Sequence, residues 1–187
     1  MISSRYRVLV LLTFSFSAKA WDAPPPFQTC TDYHCDILQP VALESSHWRE
    51  IRALFPPQRT AKDERGQISK AIAQLEQIVG KINGTWRDLA ENDGEGSEPG
   101  QLDCIAESLN TTTYLQLMEQ DNLLKWHRVE ARQRRNPWLF DVHWTATILD
   151  REAQQIYAVD SWFFENGHPP IIQPIEAWLS GQAFIKN

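Results

Sequence analysis

The chain has no apolar run long enough to cross a bilayer, which takes roughly 20 consecutive apolar residues. Its best candidate, Val8 to Ser17, falls well short. Basic charge is also scarce. Eighteen Lys and Arg stand against 24 Asp and Glu, a net charge of −6, which argues against general affinity for nucleic acid or anionic membrane surfaces. There is no internal repeat and no linker long enough to divide the chain, so its 187 residues suit one main domain with a substantial core. No cysteine follows Ala20 directly, which argues against a bacterial lipid anchor. Cysteine is rare throughout: Cys30, Cys35 and Cys104 are the full set.

The N-terminus holds a basic start (Arg5, Arg7), a short apolar run and Ala18-Lys19-Ala20, the small-x-small pattern of a signal-peptide cleavage site. Residues 1–20 therefore read as a signal peptide of a periplasmic or secreted protein. Their removal deletes three basic side chains and no acid, taking the net charge from −6 to −9. In an oxidising compartment Cys30-Thr-Asp-Tyr-His-Cys35 reads as a disulfide clip. Residues 21–43 then form a Pro-rich lead plus that clip, and residues 44–187 form the domain. His34 inside the clip lacks the spacing of a structural zinc site. The acidic stretch Glu91 to Gly100 lacks the spacing of an EF-hand loop. No metal or cofactor is called for.

Periodicity divides the domain. Ser45 or Ser46 is expected to cap a first helix with Trp48, Ile51, Leu54 and Phe55 on its face, ended by Pro56-Pro57. A longer helix over about 62–82 carries Ile68, Ala71, Ile72, Leu75, Ile78, Val79 and Ile82 on one stripe, and Asn83-Gly84 breaks it. A third runs from Cys104 to about Gln120. Then the period changes. Leu124 to Val129, Val142 to Leu149 and Gln155 to Phe163 read as strands, and Pro174 begins a last short helix. Helices first and antiparallel strands second give an α+β fold. Arg132, Arg134 and Arg135 fall in a loop before the second strand, a solvated segment or a site for a substrate carboxylate. Asn110-Thr-Thr and Asn83-Gly-Thr match the glycosylation pattern; the former falls inside the third helix and reads as a chance match.

Cys104 is the thiol left over once Cys30 and Cys35 pair, and it opens a helix. The positive end of the helix dipole favours a thiolate there, and its backbone N–H is one of the helix's unpaired donors, suited to an oxyanion hole. Gln101 and Trp86 are weaker candidates for a second donor. His143 lies seven residues before Asp150, and Asp160 seven after Ala153. A hairpin turning at 150–153 sets the two directly opposite, with Thr145 against Ala158 and Trp144 against Val159. Cys104, His143 and Asp160 then supply nucleophile, base and orienting carboxylate. His127, on the first expected strand, has no comparable acid partner.

The order Cys, His, Asp, with Val-His-Trp-Thr-Ala-Thr-Ile and Tyr-Ala-Val-Asp-Ser-Trp around the last two, resembles the transglutaminase-like branch of the papain-like cysteine enzymes. The resemblance covers roughly residues 101–164. It implies attack by Cys104, acid and base work by His143, orientation by Asp160 and an acyl-enzyme formed from an amide. Departures are Asp103 where the family usually has Gly, Ala106 where an acid is common, Trp144 for a small residue and Ser161 for Pro. The resulting expectation is an exported cysteine-dependent hydrolase or acyltransferase acting on a protein, peptide or peptidoglycan-derived amide. Its alternatives are a non-catalytic binding module on the same scaffold and a cell-wall endopeptidase of the NlpC type.

Overall fold

The computed structural model describes residues 22–57, 60–93, 98–136 and 142–181; the expected signal peptide lies outside them. The elements are β1 (Phe27–Cys30), β2 (Leu38–Val41), α1 (Ser45–Ala53), α2 (Ala61–Asn83), α3 (Cys104–Gln120), β3 (His127–Arg135), β4 (His143–Asp150), β5 (Gln155–Asp160), β6 (Ile171–Pro174) and α4 (Ile175–Leu179). Strands β1 and β2 pair in a small antiparallel hairpin, and β3-β4-β5-β6 form an antiparallel sheet in that order. The fold class is α+β.

Local signals explain the helices. Thr60 caps α2 by accepting the Asp63 N–H at 3.1 Å, and Gly84 ends it at φ +94°, a left-handed conformation that glycine adopts without penalty. The expected serine cap of α1 is not used. Glu44 occupies the cap position without a side-chain bond, and Ser45 is already helical. Trp48 and Ile51 of α1, Ile68, Ile72 and Leu75 of α2, Leu115 and Met118 of α3, and Ala146, Ile148 and Val159 of the sheet make one buried core. Trp178 and Ile175 of α4 cover the other sheet face through Ala158. Ile82, expected on the α2 stripe, is 48 % exposed.

Two expectations about strands are corrected. Strand β3 runs on to Arg135 past an irregularity between Glu130 and Gln133, so the three arginines lie on a strand. Two of the charges are carried over tryptophans, Arg132 4.8 Å from the Trp144 ring centre and Arg135 4.7 Å from that of Trp178. Short strands β1, β2 and β6 had no clear signal. The β4–β5 register also differs. Asp150 pairs with Gln155 and Thr147, not Thr145, with Ala158; Val159 faces Ala146 rather than Trp144. The turn is 151–154, held by Asp150 Oδ1, which accepts the N–H groups of Glu152 and Ala153. Moving the turn by one residue shifts every partner by two, and a shift of two preserves the face. His143 and Asp160 are therefore diagonal neighbours, not opposite ones, and still share a face.

Candidate active site

Three elements deliver the three side chains. Cys104 is the first residue of α3 and half-buried. Asp103 Oδ1 caps that helix by accepting the Ala106 N–H at 2.9 Å. Its Oδ2 accepts from the backbone N–H of His34 at 3.1 Å and lies 2.7 Å from His34 Nδ1. The carboxylate thus grips both the helix start and the clip, a use that glycine at this position cannot supply. The clip is closed by the Cys30–Cys35 disulfide. It is tied to α3 a second time by Asn110, whose amide exchanges two hydrogen bonds with the Cys30 backbone at 2.7 and 3.0 Å.

His143 opens β4 and Asp160 ends β5, and both are almost fully buried. His143 Nε2 donates to Asp160 Oδ2 at 2.8 Å, which leaves Nδ1 as the ring nitrogen for the thiol. The indole N–H of Trp178 donates to the same Oδ2 at 2.7 Å. Rings of Trp162, Phe163 and Trp178 surround the imidazole at 4.7, 5.3 and 5.6 Å between centres. Burial works against charge on His143, but hydrogen bonds to Asp160 and Cys104 and their negative charge outweigh it. They push its pKa up from 6.5 to about 9. The Cys104 thiol also lies 3.8 Å from the Val142 carbonyl oxygen.

A cavity of about 310 Å³ opens beside Cys104 and His143. His34, Asp103, Asn92 and Asp93 wall one part, and Ile105, Val142, Trp144 and Trp162 the other. A larger cavity of about 630 Å³ adjoins it through Asn92 and Asp93 but includes neither Cys104 nor His143. The two weaker oxyanion candidates are placed elsewhere. Gln101 accepts from the Leu89 N–H and the Asn92 amide and donates to the Arg87 carbonyl, so its side chain orders the 87–92 segment. Trp86 is largely exposed with Arg87 stacked on it, and lines neither cavity. Arg132 donates to Ser108 Oγ and the Ile105 carbonyl, which anchors it behind Cys104. Among the described residues no group of three or more His, Cys, Asp or Glu is placed to hold a metal ion.

Sequence reasoning missed the bond of Trp178 to Asp160 and the His34–Asp103 pair. Only Asp103 carried a local signal, as a capping residue one position before the helix. It also missed the acid partner of His127. That ring donates from Nδ1 to Glu64 at 2.9 Å, 63 residues away. Compared with protein-family models, with curated proteins and with solved structures, the chain matches none.

Proposed function

We propose that the protein is an exported cysteine-dependent hydrolase or acyltransferase acting on amide bonds, a divergent relative of the transglutaminase-like branch of the papain-like enzymes. One observation carries the reading: Asp160, His143 and Cys104 form a hydrogen-bonded row whose thiol end opens on a cavity. At neutral pH His143, its pKa raised to about 9, holds its proton and hydrogen-bonds to the Cys104 sulfur, the nucleophile of the reaction. The thiolate sulfur attacks the substrate carbonyl carbon, and the carbonyl oxygen takes the negative charge beside the Cys104 N–H at the start of α3. Collapse breaks the C–N bond, and the His143 proton leaves with the amine. Water or a second amine, deprotonated by His143, then attacks the thioester and restores the thiolate. Asp160 keeps the proton-bearing Nε2 in place throughout.

The closed clip and the N-terminal basic-apolar-small pattern support export. No helix among the described residues is long and apolar enough to cross a membrane. The deciding experiment is iodoacetamide labelling of the folded protein between pH 5 and 9. Cys104 is expected to react below neutral pH far faster than an ordinary thiol, and His143→Ala to remove that excess. Cys104→Ser should abolish labelling and amide turnover with thermal unfolding nearly unchanged. A Cys104 that reacts like a free thiol, indifferent to His143→Ala, leaves a binding module as the better reading.

A further inference from the structure

Behind the candidate triad lies a set of side chains for which acyl transfer has no use. Glu76 of α2, Asp88 and Glu107 of α3 are each 5 % exposed or less, and they bear on one another electrostatically. The Glu107 carboxyl hydrogen-bonds to Asp88. Asp88 Oδ1 in turn accepts the Leu102 N–H at 2.7 Å, two residues before Cys104. Glu76 Oε2 accepts the Gly167 N–H at 3.0 Å, and the Glu76 carboxyl also hydrogen-bonds to Ser161, the residue after Asp160. Ser161 is also 3.1 Å from Thr111 Oγ1, two turns along α3 from Cys104. Glu76 Oε1 has no hydrogen-bond partner.

We propose that Glu76, Asp88 and Glu107 form a buried carboxyl clamp that positions the Cys104 helix against the strand end carrying Asp160. One arm, Glu107 to Asp88 to Leu102, holds the chain entering α3 against the first turn of that helix. The other arm, Glu76 to Ser161 to Thr111, holds the chain leaving β5 against the same helix. Together the arms set how Cys104 meets His143, which Asp160 orients; for that catalytic consequence the proposal rests on the triad reading.

The clamp works with protons in place. Two carboxyls in contact hydrogen-bond only if one of them is an acid, and an ionised Glu76 would leave a charged oxygen buried and unpaired. The groups facing the three are Asp103, Asp160, Tyr114, Ser161 and Thr111, and the charges bearing most on them are negative. Burial foremost, then this like charge, pushes Glu76 up to about 8, Asp88 to about 6 and Glu107 well above the usual carboxylate range. Each holds its proton longer in the folded than in the unfolded chain. Stability therefore falls as pH rises from the ordinary carboxylate range, about 4, to about 8.

The test compares Glu107→Gln, which keeps a neutral donor, with Glu107→Ala, which removes it. The main readout is the His143 titration followed by NMR in folded protein, because that titration reports Cys104 and Asp160 geometry whether or not the thiol is reactive. Glu107→Gln is expected to titrate like the wild type. Glu107→Ala should move the His143 midpoint at least half a pH unit (a threefold change in proton affinity) toward its ordinary value. An unchanged midpoint in Glu107→Ala, or an equal shift in both variants, overturns the clamp. A shift confined to Glu107→Ala, in a protein whose wild-type Cys104 is unreactive, keeps the clamp and refutes the triad. If Glu107→Ala does not fold, Glu76→Gln decides. It should lose less melting temperature than the wild type between pH 5 and 8, and an undiminished loss overturns the proposal.

Discussion

Two buried histidine–carboxylate pairs, built with almost the same hydrogen-bond length, sit in opposite surroundings in this molecule. His127 and Glu64 are 2.9 Å apart, and His143 and Asp160 are 2.8 Å apart. At His127 the second ring nitrogen meets Arg65 Nη1 at 3.2 Å. A guanidinium can only donate, so that nitrogen accepts and the ring is filled on both sides. Glu64 accepts as well from the N–H groups of Lys125, Trp126 and His127, fastening the entry to β3 onto α2. At His143 the second nitrogen meets a thiol on the wall of a cavity. The carboxylate does not distinguish a structural imidazole from a candidate catalytic one; the partner on the far side does.

Breaking the closed pair should have the largest effect on folding. Glu64→Ala strands three backbone donors and the His127 ring, and is expected to destabilise by about 3–5 kcal/mol. Chemical denaturation measures this, and Cys104 labelling in the remaining folded protein should be unchanged. A loss of labelling there would mean that the two pairs are coupled.

The pairs should also respond at opposite ends of the pH scale. Burial tends to raise the Glu64 pKa, but its bonds to His127 and the three backbone donors lower it overall. Its contribution is therefore present above the ordinary carboxylate range and lost as acid is added. His143 has the opposite sign. Its contribution is complete below its ordinary value of 6.5 and disappears as pH rises through about 9. That shift corresponds to on the order of 3 kcal/mol. Melting curves across pH should show His143→Ala flattening the alkaline decline and leaving the acid one in place.

Asp160→Asn sharpens the comparison at its functional end. It keeps the shape and removes the charge, so the excess Cys104 labelling near pH 6 should fall on the order of 10–100-fold, less than in His143→Ala. The smallest effect is expected from Trp178→Phe, which keeps the ring against His143 and deletes one donor to Asp160. A several-fold slowing of labelling, about 1 kcal/mol in the barrier, is the expected result. No change would mean that His143 alone holds Asp160.

Much of this was legible wherever the signal was local. The C-terminal break and most of the apolar stripe of α2, the start of α3 at Cys104 and the clip all followed from short stretches of chain. The common face of His143 and Asp160 survived a misplaced turn because faces depend on parity and not on exact register. What the sequence hid was held by distant partners. Glu64 is 63 residues from His127, and Trp178 reaches Asp160 from the last helix. The arginines of β3 looked like a loop because charge masks strand alternation. The tryptophans beneath Arg132 and Arg135 come from β4 and α4.

Asn110 has a consequence for biosynthesis. The same side-chain amide that a glycosylating enzyme would modify is committed to both backbone groups of Cys30, and the residue is 4 % exposed. A sugar attached there and a clip docked on α3 exclude each other. In a host that glycosylates chains as they emerge, each molecule would commit early to one of two products: a chain that folds before the transferase arrives, or a sugar-bearing chain whose clip has nowhere to dock.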